Sequence, residues 1–136
     1  MKRPTDEELT QLGASLREIN PAALAPDEEG GDVRWFLGAQ ATEVFVWSKP
    51  GSPPHHLQLV FARISVEWNE KKGLVTGTFK AAPTTAGGRY DSYILMERRT
   101  VDPEVCEAAL VLLEASTVER AVLAPLLDAL RAHRVS

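Results

Sequence analysis

The first part of the chain carries a helical pattern. Thr5 and Glu8 stand three residues apart, as in a capping box, in which the side chain of each residue accepts a hydrogen bond from the backbone amide of the other. Apolar residues then recur at the spacing of one helical face, at Leu9, Leu12, Leu16 and Ile19. The pattern predicts a helix over residues 5–19 with a narrow apolar stripe. Residues 20–32 have no apolar period and are predicted to form an acidic linker.

From residue 33 to residue 101 the pattern changes to short runs rich in β-branched and aromatic residues, separated by turn residues. This pattern predicts an antiparallel β-meander of about five strands. One run is irregular, because the apolar positions Leu57, Leu59 and Phe61 have one parity and Ile64, Val66 and Trp68 the other. A β-bulge near Ala62–Arg63 would explain the change, and a strand covered on both faces is the alternative.

Residues 102–134 predict a pair of helices. Asp102 and Pro103 have the residue types of an N-cap and a first helical position, and the run from Val105 to Leu113 is almost wholly apolar. Pro125 is expected to kink or split the last helix. The predicted fold is a single α+β domain over residues 1–136, in which one N-terminal helix and two C-terminal helices pack on a curved antiparallel sheet.

Composition narrows the function classes. The chain has 136 residues, 44% of them hydrophobic, and a net charge of −4, which argues against a nucleic-acid partner. Residues 1–32, 33–101 and 102–136 carry −5, +4 and −3, so the basic charge lies on the predicted sheet. One cysteine, no apolar leader and no long apolar run predict a cytoplasmic chain with no membrane contact.

Few residues have the type and spacing of a metal site or a catalytic site. His55 and His56 are neighbours in a predicted strand, where successive side chains point to opposite faces, so a shared metal ion is not expected. Cys106 lies on the apolar stripe of its helix with Leu110 and Leu113, which favours a core role over a nucleophilic one. We therefore expect no metal and no cofactor.

The aromatic residues of the sheet carry the main functional hypothesis. Phe45 and Trp47 share one face of their strand, and Val44 and Val46 share the other. If helices cover one face only, the other exposes an aromatic patch. The alternative is that the sheet folds over itself or that the N-terminal helix covers the second face.

The exposed patch predicts a non-enzymatic interaction or adaptor domain. It would bind a protein, with a second copy of the chain as one candidate, through the open sheet face or a sheet edge. The residues assigned to partner binding are Phe45, Trp47, Arg63, Arg98 and Arg99.

Two alternatives remain open at this stage. One is a small-ligand module with an aromatic pocket, in which Arg63 would hold an anion and the lining residues would be Trp35, Trp47, His55, Trp68 and Tyr93. The other is a small hydrolase-like enzyme that uses His55 or His56 as a general base, which requires a carboxylate within hydrogen-bond reach of the ring.

Overall fold

In the part of the chain that the structure describes, six strands form one antiparallel sheet in the order of the chain, β1 to β6, and three α-helices accompany it. The computed structural model describes residues 4–19, 32–78 and 101–133. The elements are α1 (Asp6–Ala14), β1 (Arg17–Glu18), β2 (Asp32–Leu37), β3 (Glu43–Ser48), β4 (Pro54–Phe61), β5 (Ile64–Asn69), β6 (Gly73–Thr78), α2 (Pro103–Glu114) and α3 (Arg120–His133). The predicted α+β meander with one N-terminal and two C-terminal helices is confirmed. The strand expected near residues 90–97 lies outside the described residues.

The N-terminal helix begins as predicted and ends early. Thr5 Oγ1 accepts from the Glu8 amide at 3.1 Å and Glu8 Oε1 accepts from the Thr5 amide at 2.9 Å, which completes the capping box. The helix ends at Ala14 rather than at residue 19, because Arg17 and Glu18 pair with β2 instead. Arg34 donates two hydrogen bonds to Glu18, at 2.7 and 2.8 Å.

These hydrogen bonds are also the main reason why the pKa of Glu18 lies below its ordinary value. They join Glu18 of β1 to Arg34 of β2 across the pair of strands. Asp32, the end of the predicted linker, already belongs to β2, and residues 20–31 lie outside the described residues.

The parity change in the middle of the meander comes from a chain reversal, so the predicted bulge is wrong. Ala62 and Arg63 have φ values of 48° and 65°, and Phe61 pairs with Ile64. Two successive residues with positive φ form the primed type of hairpin turn, which matches the right-handed twist of the strands. Because Phe61 and Ile64 are opposite each other, the apolar residues of β4 and β5 face the same side of the sheet.

The helices pack on that side and form the main core. Phe36, Val44 and Val46 contribute to it from β2 and β3, together with apolar residues of all three helices. Helix α1 lies very close to α2 at Gly13, where an added Cβ would lie 1.8 Å from the Leu112 carbonyl oxygen. A side chain at residue 13 would therefore have to push the two helices apart.

Helix α2 begins where the sequence predicts. Asp102 accepts from the Glu104 amide at 2.9 Å and Pro103 is the first helical residue, as predicted. Helix α3 continues through Pro125, so the expected split does not occur. Within residues 4–19, 32–78 and 101–133, no helix combines the length and apolarity needed to cross a membrane.

Cys106 lies in the main core, which confirms the core interpretation. Its side chain is fully buried, and burial, with a smaller contribution from Asp102, raises the pKa of the thiol to about 11. The thiol is therefore protonated near neutral pH and is a poor nucleophile.

The close approach at Gly13 predicts that replacing this glycine by alanine, which usually stabilises a helix, lowers the stability of this protein. Alanine ordinarily stabilises a helix by about 1 kcal/mol relative to glycine. Here Gly13→Ala is expected to lower the free energy of unfolding by about 1 to 3 kcal/mol, because the new methyl group overpacks the α1–α2 contact. Urea denaturation measures the change. Gln11→Ala, at an exposed position of the same helix, is the control and is expected to stay within about 0.5 kcal/mol. A stabilising Gly13→Ala would contradict the close approach.

The Cys106 thiol predicts a stability change at high pH. Its folded pKa, about 11, lies above the reference value of 9.0, so the unfolded thiol ionises first. The stability that it contributes is complete below pH 9 and is lost as the pH rises through 11. Unfolding free energies of the wild type and Cys106→Ala, measured from pH 8 to 11, should therefore converge by about 2 to 3 kcal/mol relative to their difference at pH 8. A constant difference would show that burial does not perturb the thiol.

Candidate functional site

The side of the sheet opposite the helices carries a second, separate cluster of side chains. Trp35, Phe45 and Trp47 form its apolar centre, apart from the main core. Strand register places polar residues on the same side, because Phe45 pairs with Gln58 and Gln58 pairs with Glu67. We call this surface the polar–aromatic face and define it by Trp35, Glu43, Phe45, Trp47, His56, Gln58, Ser65 and Glu67.

The aromatic centre of this face is buried. Trp35, Phe45 and Trp47 are only 7%, 1% and 4% exposed. Ile19, Val33 and Leu37 pack against them as part of the cover. Phe45 and Trp47 are therefore shielded within the molecule, and the exposed aromatic patch expected from the sequence is not present at β3. The N-terminal helix does not provide this cover, because its buried residues Leu9 and Leu12 belong to the main core on the other side of the sheet.

The aromatic rings form a continuous stack across three strands. Trp35 and Phe45 have ring centroids 6.3 Å apart, Phe45 and Trp47 5.9 Å apart, and Trp47 and His56 4.2 Å apart, with interplanar angles of 2°, 22° and 20°. The register explains the order, because Trp35 is opposite Phe45 and Trp47 is opposite His56, whereas Phe45 and Trp47 alternate along β3. The stack therefore fixes the plane of the His56 ring.

A carboxylate holds the outer end of the stack. His56 Nε2 lies 2.5 Å from Glu67 Oε2, and the two side chains are 24% and 19% exposed. Glu67 is opposite Gln58, so it reaches His56 as a diagonal neighbour on the same face. This pair supplies the carboxylate that the enzyme hypothesis required, with His56 as the histidine.

His55 is outside this arrangement. The pairing of β3 with β4 is irregular there, since Trp47 pairs with His56 and Ser48 with Pro54, which leaves His55 as the extra residue. In the described parts of the chain, no group of three or more His, Cys, Asp or Glu residues is placed to hold a metal ion.

The buried polar groups next to the stacked rings are mostly hydrogen-bonded. Trp35 Nε1 donates to Glu43 Oε2 at 2.8 Å, and Glu43 is 1% exposed. Gln58 Nε2 donates to Ser65 Oγ at 3.3 Å, and these residues are 2% and 0% exposed. Such pairing is the rule for buried polar groups, because an unmade bond leaves the desolvation of the group uncompensated.

The Trp47 indole is the exception on this face. Its Nε1–H is buried and has no hydrogen-bond partner among the described residues. Thr42 Oγ1 and Glu107 Oε2 are also buried without partners, but neither belongs to the polar–aromatic face. The site therefore combines a fixed histidine–carboxylate pair with a buried indole donor that has no partner among the described residues.

The remaining sequence-predicted residues are not brought together here. Trp68 lies on the helix side and packs against the main core. Arg63 is in the β4–β5 turn, roughly 17 Å along β4 from His56, so it cannot fix an anion beside Trp47. Arg98, Arg99 and Tyr93 lie outside the described residues.

Sequence reasoning missed the polar half of the face. Glu43 shares the side of Phe45 and Trp47 within β3, and Gln58, Ser65 and Glu67 share it once β4 and β5 are recognised as a hairpin. The available signal was the alternation of polar residues within each strand, but the missed turn at residues 62–63 concealed it.

Comparisons of this chain with protein-family models, with curated proteins and with solved structures find no match.

Proposed function

We propose that this chain is a non-enzymatic binding module that holds a small ligand at the polar–aromatic face. The observation that carries the proposal is the Trp47 indole N–H, a buried donor without a partner beside the His56–Glu67 pair. Binding sites commonly combine an apolar, aromatic lining with a few placed polar groups. The stack, Gln58 and the two carboxylates have that composition.

Burial favours a small ligand over a flat protein surface. Docking a protein on this face would require exposed apolar area, and the aromatic centre has almost none. Binding of a protein, or of a second copy, through a sheet edge stays a separate prediction. A cytoplasmic location is likewise part of the proposal and rests on the single cysteine.

The corner at His56 and Glu67 is the proposed point of entry. Their side chains are 24% and 19% exposed, whereas the neighbouring Trp47 is 4% exposed. Ser48 and Asn69, at the adjoining strand ends, are also partly exposed. A ligand that enters here would meet His56 first and the Trp47 indole next.

A second candidate is an enzyme with His56 as a general base. The 2.5 Å approach of His56 Nε2 to Glu67 favours it, because a carboxylate that orients one ring nitrogen leaves the other, Nδ1, to take a proton. Conversion of the bound ligand to a product, abolished in His56→Ala, would replace the binding proposal by this one.

The binding proposal predicts ligand-dependent stabilisation that requires His56. In a thermal-shift screen of metabolites, a ligand at a hundred times its Kd should stabilise the folded chain by about 2.7 kcal/mol and raise Tm by several degrees. His56→Ala should lose this shift, because the ring that closes the stack is removed.

His55→Ala is the matched control, since it changes the neighbouring histidine outside the stack and should retain the shift. Equal shifts in both variants would place binding elsewhere on the molecule. A screen with no hit among uncharged, anionic and cationic compounds would remove the proposal.

A further inference from the structure

We propose that residues 17–19 form a strap over the Trp35 end of the polar–aromatic face, and that the Arg34–Glu18 ion pair controls the opening of this strap. The open strap exposes the Trp35 ring and the outer edge of β2. The role of the strap in ligand access rests on the proposed function, because the strap regulates the end of that site opposite to His56. Its opening is a property of the chain alone and can be measured without a ligand.

The strap is joined to the sheet by a short pairing. Strand β1 has only two residues, which lie opposite Phe36 and Leu37, and both have exposed side chains. The next residue, Ile19, donates from its amide to the Trp35 carbonyl at 2.8 Å. Local opening is easiest where few apolar contacts are buried. A two-residue pairing with exposed side chains buries little apolar area, so it can separate from the sheet well below the cost of global unfolding.

The chain just before the strap is anchored independently of it. Leu16 is 1% exposed and belongs to the main core. Ser15 Oγ accepts from the Ala39 amide at 2.8 Å, which joins the end of α1 to the β2–β3 connection. These contacts do not depend on the pairing of β1 with β2. Opening can therefore begin at residue 17 and leave α1 in place.

The strap supplies the removable part of the cover over Trp35. Ile19, Val33 and Leu37 pack against the aromatic cluster. Val33 and Leu37 belong to β2, so they cannot leave the cluster while the sheet is intact. Of these three side chains, only Ile19 can move away with the strap. Its departure uncovers the ring of Trp35, which is 7% exposed in the closed arrangement.

The Arg34–Glu18 ion pair holds the strap closed. Arg34 donates to both carboxylate oxygens of Glu18, at 2.8 and 2.7 Å, and such two-bond pairs are strong and geometrically specific. The guanidinium carbon lies 5.3 Å from the centroid of the Phe36 ring, which helps to position Arg34 on β2. Glu119, just before α3, also attracts Arg34. Arg34 therefore keeps a carboxylate neighbour when Glu18 leaves, and this lowers the cost of opening.

Exposure makes this ion pair a control element rather than a permanent clamp. The Arg34 and Glu18 side chains are 35% and 34% exposed, so dissolved salt screens their attraction. Exposed ion pairs typically change an equilibrium by about fivefold at most. The open fraction of the strap should therefore rise by roughly two- to fivefold when the pair is screened or removed.

Amide hydrogen exchange of the full chain tests the strap. The Ile19 amide should exchange through local opening, at a rate that low concentrations of urea do not change. The Val46 amide, in the middle of the sheet, should exchange only with global unfolding and at least about a hundredfold more slowly. Glu18→Gln should raise the Ile19 rate roughly two- to fivefold. In 1 M NaCl the wild-type Ile19 rate should approach that of the variant, whose own rate should stay constant.

Two further variants separate the contributions. Glu70→Gln removes an exposed carboxylate from the β5–β6 turn and is the matched control, so it should leave the Ile19 rate unchanged. Ile19→Ser keeps the ion pair and removes the apolar cover. It should increase the fluorescence of 8-anilinonaphthalene-1-sulfonate, a dye that reports exposed apolar surface, at a urea concentration where the wild type is fully folded.

Three results would overturn the strap. An Ile19 amide that exchanges only with global unfolding, at the Val46 rate, would show that residues 17–19 do not open separately. Equal Ile19 rates in the wild type and Glu18→Gln would show that the ion pair does not control opening. No gain of dye fluorescence in Ile19→Ser would show that the strap is not the cover. The proposed binding function fails separately, through the metabolite screen with His56→Ala.

Discussion

Strand β3 is buried on both sides, and this constraint determines the character of the whole second face. Val44 and Val46 enter the main core under the helices, whereas Phe45 and Trp47 enter a separate aromatic cluster. A central strand with two buried faces cannot leave its polar side chains to water, so they must find partners within the fold. Glu43 does so through Trp35, and the unpartnered Trp47 indole is conspicuous against that background.

The β4–β5 turn determines which side chains of β5 face the site. Ala62 and Arg63 both have positive φ, a conformation that residues other than glycine seldom adopt, and the turn fixes the register of β5. A shift by one residue would move Glu67 to the helix side and bring apolar side chains to the polar–aromatic face. The His56–Glu67 contact therefore depends on a strained turn at the far end of the same hairpin.

Local signals in the sequence predicted the elements that depend on local chemistry. The capping box at Thr5 and Glu8 and the Asp102–Pro103 start both form as expected, because their hydrogen bonds join residues a few positions apart. The end of α1 was not predictable in this way, since the Arg34–Glu18 interaction comes from a strand distant in sequence. The turn at residues 62–63 was missed because it contains neither glycine nor asparagine, the residues on which turn recognition relies. The burial of Phe45 and Trp47 depends on tertiary cover, which strand alternation does not encode.

The choice between binding and catalysis depends on what His56 could activate. A general base needs a nucleophile or an acidic proton within reach. Ser65 is on the same face, but it is fully buried and its hydroxyl oxygen accepts from Gln58. Cys106 belongs to the main core on the helix side, and its pKa of about 11 keeps it protonated at neutral pH. Neither of these two described residues is therefore prepared as a nucleophile that His56 could activate. Binding, as proposed, requires no such additional group and would use the stack, the imidazole and the indole donor.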